Sequence, residues 1–192
     1  MSVNQIILCA IIIISLILCA CRKTSYFNIL KIVKGYLKIF KDEKGYNFCA
    51  LYVSLILPLF LMFYVLQYIE LTDDIYEKII LVITILTALF FSTLGIILTI
   101  KEIVIKIGSE DKGREWSASN KQKVNKLTNS VFYTDMFEIM VSIFILILTF
   151  ANGCLKEKIL IIDAMIFYLI FVLLINMLVL LKRFYVIMHE LM

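Results

Sequence analysis

Five apolar stretches, each long enough to cross a bilayer, dominate this chain, and the segments between them are alternately rich and poor in lysine and arginine. They are Val3–Cys21, Phe48–Ile69, Ile79–Ile100, Val131–Phe150 and Ile159–Leu181. A hydrocarbon core of about 30 Å takes roughly 20 apolar residues in helix, because no water is there to satisfy open backbone groups. An all-α, polytopic transmembrane helix bundle of five spans is therefore expected, as a single membrane domain over residues 1–192. Composition agrees: 62% of the residues are hydrophobic and the mean hydropathy is +0.99, which excludes an ordinary soluble domain.

Sixteen of the 19 lysines and arginines fall on one side of such a bundle. They occupy the first connection (Arg22 to Lys44), the third (Lys101 to Lys126) and the Lys182-Arg183 pair after the last stretch. The second connection is acidic, with Glu70, Asp73, Asp74 and Glu77 against Lys78, and the fourth holds only Lys156 and Lys158. The positive-inside rule then puts the N-terminus outside and the C-terminus in the cytoplasm, in the cytoplasmic (inner) membrane of a multi-pass protein. The rival reading makes Val3–Cys21 a cleaved signal, with Leu18-Cys19-Ala20-Cys21 as a lipoprotein box. Met1–Gln5 lacks the basic start such signals need, no A-x-A site follows, and cleavage would strand seven basic residues outside.

Residues Ser25–Lys41 read as an amphipathic helix. Lys31, Lys34, Lys38 and Lys41 recur at helical spacing as one polar stripe, while Tyr26, Ile29, Leu30, Val33, Leu37 and Phe40 form an apolar face. Such a helix is expected to lie in the headgroup plane with its four lysines on anionic lipid. In the next basic connection, Ile103–Ile107 is expected to prolong the third span until Gly108 ends it. Asn120–Ser130 is expected to run as helix into the fourth span.

Three sets of polar residues could carry chemistry inside the membrane. Thr84, Ala88, Ser92, Gly95 and Thr99 share one stripe of the third stretch. Small side chains there fit a close-packed helix seam, in the bundle or between protomers, or a pore-lining face. The fourth stretch opens with Asp135 and Glu138, followed on the same face by Ser142 and Thr149. Ion pairing with Lys101, Lys182 or Arg183 near the same border competes with a cation-binding mouth. Asp163 and Asn176 lie on the last stretch, too far apart to form one site, and Asn176 is expected to hydrogen-bond between helices. Pro58, the only proline, is expected to kink the second span.

Catalytic machinery is not expected. The single histidine, His189, excludes an H-E-x-x-H metal site, and no glycine-rich nucleotide loop is present. Cys9, Cys19, Cys21, Cys49 and Cys154 show no metal-binding spacing and read as small hydrophobes. No metal, cofactor or nucleic-acid partner is expected.

Thr84–Gly95 and Leu180–Tyr185 resemble strings in small multi-span bacterial membrane proteins. The layout resembles the membrane subunits of phage-defence pairs such as Kiwa, which act with a cytoplasmic partner. That resemblance implies a membrane component that works with a partner. The small-residue seam, the lipid-lying helix and the basic connections suit a non-enzymatic, homo-oligomeric one that senses the envelope or disturbs the membrane as an effector. An ion channel or small transporter subunit, and a membrane immunity or accessory protein, are the alternatives.

Overall fold

The computed structural model describes residues 29–42, 45–68, 72–110, 118–155 and 158–191. The expected first span Val3–Cys21 and the start of the amphipathic helix lie outside the described residues. Among the described residues four helices are long and apolar enough to cross a membrane: Phe48–Leu66, Asp73–Ile103, Val124–Gly153 and Leu160–Ile187. The protein is a multi-pass helical membrane protein.

The first described helix, α1, covers Ile29–Lys38. A two-residue antiparallel ladder follows, pairing Lys41 with Tyr46 and Asp42 with Gly45 (β1 and β2). It turns the chain into α2, Phe48–Leu51, whose start is capped by Asn47: the side-chain oxygen accepts from the Ala50 N–H at 3.2 Å.

Tyr52–Ile56 then forms a π-helical turn before α3, Leu57–Leu66. Pro58 explains the turn. It has no N–H to offer the carbonyl of Ser54, and its ring would clash there in a regular α-helix. Widening the helix over those residues, with the Leu57 N–H reaching Tyr52 O, absorbs the clash. The disruption expected from Pro58 thus takes the form of a π turn around Ser54.

The third and fourth apolar stretches lie in helices far longer than the membrane requires. Helix α4 runs Asp73–Glu110 and α5 runs Ala118–Gly153. Most of the acidic segment expected as a loop is instead the first turns of α4. Asp73 and Asp74 suit the positive end of the helix dipole, and Asp74 accepts from Lys78 one turn on at 2.5 Å. Gly108 does not end α4 as expected, since one glycine costs a helix only about 1 kcal/mol. Helix α6, Leu160–Leu191, completes the chain.

Helix α5 is the centre of the bundle: α4 and α6 pack along it, α1 lies on it, and α3 packs on α6. The outward faces carry large apolar side chains such as Phe60, Phe63, Ile85, Phe91, Ile161 and Leu178, as contact with lipid requires. Inside there are two apolar clusters. One holds Phe90, Ile145 and Leu173; the other, nearer the C-terminal end of α6, holds Ile97, Val131 and Leu180. Where the two clusters meet, each helix also turns a polar side chain inward: Thr93 on α4, Asp135 and Glu138 on α5, and Asn176 on α6.

Candidate functional site

That polar belt is built by one helix face. Asp135, Glu138, Ser142 and Thr149 recur at spacings of three, four and seven, which returns each to the same side of α5. All four are fully buried. Ser142 and Thr149 satisfy their hydroxyls on their own helix, donating to Ile139 O (2.9 Å) and Ile145 O (2.8 Å). The carboxylates have no such recourse.

Asp135 accepts from Thr93 of α4 at 2.7 Å through Oδ1, and its Oδ2 has no hydrogen-bond partner. Thr93 also lies 2.8 Å from Phe90 O, so one hydroxyl proton is shared between two acceptors. Neither oxygen of Glu138 has a partner. The Asn176 amide lies beside Glu138 but outside hydrogen-bond geometry, and its nitrogen is likewise unpartnered.

Asn176 is occupied on its other side. Its Oδ1 accepts from the Tyr36 hydroxyl of α1 at 2.8 Å. The Tyr36 ring stacks on Phe137 at 4.0 Å between centroids, nearly parallel. Ser54, in the π turn, lies beside the same phenol. Segments of α1, the π turn, α5 and α6 therefore converge around Glu138, which sits midway along the Val124–Gly153 span, and α4 reaches its neighbour Asp135.

The expected ion pairs are not made. Among the described residues, no cation pairs with Asp135 or Glu138. Arg183 donates instead to Ser130 Oγ (2.7 Å) and Thr134 Oγ1 (3.1 Å). Lys101 lies over the Phe132 ring at 5.9 Å, and Lys182 is exposed. Arg183 does reach the level of Asp135, since Thr134 is the adjacent residue of α5, but its guanidinium is taken up by the two hydroxyls, and Glu138 lies about one turn further along.

Asp163 belongs to a second network at the opposite end of the bundle. Tyr76 of α4 donates to Asp163, and Asn152 Nδ2 donates to the same oxygen at 2.7 Å. Asn152 Nδ2 lies 3.0 Å from the Tyr76 hydroxyl, and Asn152 Oδ1 accepts from the Ile159 N–H at 3.1 Å. Lys158 bridges to Asp73 and lies over the Tyr76 ring at 4.4 Å. This network ties the ends of α4, α5 and α6 and leaves none of its buried side-chain atoms unpaired. It is a clamp.

The stripe of Thr84, Ala88, Ser92, Gly95 and Thr99 lies on the outside of α4, every member exposed. A Cβ at Gly95 would meet nothing within 4 Å. Thr84 and Thr99 bond back to Ile80 O and Gly95 O. Within one chain this stripe neither packs against another helix nor shares the Glu138 belt; Thr93, a third of a turn away, faces inward instead. Lys31, Lys34, Lys38 and Lys41 are exposed as expected, but the apolar face of α1 differs. Leu30 and Leu37 are exposed, while Tyr36 and Phe40 are buried. The helix turns Tyr36, opposite the lysines, toward the bundle.

Chemically, the belt offers two carboxylates, hydroxyls and an amide to a small positive charge. Among the described residues no group of three or more His, Cys, Asp or Glu is placed to hold a metal ion. No protein-family model, curated protein or solved structure matches the chain.

Proposed function

We propose that this protein is a non-enzymatic channel or transporter subunit that binds and passes a proton or monovalent cation at Glu138. The observation that carries this reading is a fully buried carboxyl, midway along a membrane span, with neither oxygen partnered. A carboxylate left so in a low-dielectric interior costs several kcal/mol unless it takes up positive charge. Asp135, one turn away, supplies a second step of the same chemistry. The apolar layers around Phe90 and Leu173 on one side, and Ile97 and Leu180 on the other, suit an occluded site rather than an open pore. With the N-terminus outside, the α1 side of the belt faces the cytoplasm. Carbodiimide modification of Glu138, followed by mass spectrometry, tests the reading. Protection by sodium, potassium or raised pH is expected, and an unmodified or unprotected Glu138 would contradict it.

A second reading, an oligomeric component that works with a cytoplasmic partner, draws on the exposed stripe of α4. Small residues on an outer face permit close approach of a second protomer. In that reading the chain is the envelope sensor, effector or accessory subunit of a pair, including one in phage defence.

A further inference from the structure

We propose that α1 is a latch on the Glu138 site, released when anionic phospholipid headgroups capture its lysine face. The proposal rests on the reading of Glu138 as a cation site. Its basis is the division of α1 into two faces. At 100° per residue, Lys31, Lys34 and Lys38 all fall within about 40° of the direction opposite Tyr36. Tyr36 is 2% exposed, held on Asn176 and Phe137 beside Glu138. The lysines, with Lys41 just beyond the helix, are exposed.

Helix α1 has a second possible home for the face that docks. Ile29, Ile32 and Val33 are only partly buried against the bundle, and Leu30 and Leu37 are exposed beside them. An amphipathic helix with this pattern inserts its apolar face at the bilayer boundary and holds its lysines at headgroup level. Docking on the bundle and insertion among lipids use the same side chains, so the two states exclude each other. Each lysine adds to the inserted state in proportion to the negative charge of the surface. A ligand with this differential affinity shifts the population of α1 away from the bundle. Tyr36 leaves with it, and the Asn176–Glu138 pair loses its cover.

Docking also depends on one close contact. Gly35 lies on the Tyr133 ring, where a Cβ would stand 2.4 to 2.8 Å from three ring carbons. Only glycine permits that approach. Alanine would strengthen the helix itself while pushing it off α5, which separates helix formation from docking.

The test uses the full-length protein with its five cysteines replaced by alanine and spin labels at Leu30→Cys and Asn125→Cys. It is reconstituted in phosphatidylcholine alone or mixed with phosphatidylglycerol. The expected result with phosphatidylglycerol is a longer α1–α5 distance, by about one helix diameter, on the order of 10 Å. Carbodiimide labelling of Glu138 should rise at least about fivefold, the factor one lysine near an anionic surface supplies. Gly35→Ala should give the long distance and fast labelling in both lipids. Replacing Lys31, Lys34, Lys38 and Lys41 by glutamine should abolish the lipid dependence. An α1–α5 distance that is equal in the two lipids, or unchanged by Gly35→Ala, overturns the latch, as does a longer distance without faster labelling. A lipid-dependent distance and labelling rate in a protein that conducts nothing supports the latch and faults only the transport reading.

Discussion

The Tyr36 hydroxyl donates to Asn176 Oδ1 at 2.8 Å, joining residues 140 positions apart and fixing the lysine-bearing helix to the last span. Burial, and then the nearby Glu138 carboxyl, push the Tyr36 phenol above its ordinary range. It therefore remains a neutral donor across physiological pH. The bond brings an otherwise peripheral helix beside Glu138, the one buried carboxyl group among the described residues with neither oxygen hydrogen-bonded.

Tyr36→Phe keeps the Phe137 stack but leaves the Asn176 oxygen without its donor. A loss of about 1–2 kcal/mol is expected from one unsatisfied buried acceptor. Tyr36→Ala also removes the aromatic pair, worth about 1 kcal/mol beyond area burial. Unfolding in detergent should rank wild type, Tyr36→Phe and Tyr36→Ala in falling stability. Equal stability of all three would mean that α1 does not dock through this residue.

At the clamp, Asn152→Ala removes the amide that joins Tyr76, Asp163 and the Ile159 backbone. The expected cost is about 2–3 kcal/mol, since several buried groups lose a partner together. Lys158→Ala should cost only about 0.5–1 kcal/mol, because the ion pair to Asp73, 86% exposed, adds little and the contact over the Tyr76 ring supplies the rest. Thermal unfolding of the two variants measures the contrast, and a comparable loss in both would contradict the assignment of the clamp to Asn152.

Gly95→Leu adds a side chain into open space, so the stability of the single chain should be unchanged. If protomers meet along Ser92 and Gly95, the variant should lose cysteine cross-linking between copies through that stripe. Unaltered cross-linking would place the oligomer contact elsewhere.

Much of this fold was legible in apolar length alone, because a bilayer admits so few backbone solutions. Four of the five expected spans lie in helices, and the shared face of Asp135, Glu138 and Ser142 followed from spacing. What spacing could not give was rotation and depth. The stripe of Thr84 to Thr99 is real as a helix face, yet it points outward, and the useful hydroxyl is Thr93. Extension of α5 beyond its apolar stretch set Glu138 midway along the helical span, and Arg183 spends its donors on Ser130 and Thr134 rather than on the carboxyls. Tyr36 carried a usable signal, since it stands opposite the lysines, but a helix presumed to lie on lipid had no bundle to face. Tyr76 and Asn152 carried none, because their pairing with Asp163 depends on helix ends meeting in space.

The most direct test of the Glu138 site is cation flux through the purified protein in liposomes. Wild type should conduct, Glu138→Gln should abolish conduction, and Ser92→Leu, on the outer face of α4, should leave it intact. A folded wild-type protein that passes neither protons nor monovalent cations, or undiminished flux in Glu138→Gln, would contradict the proposed function.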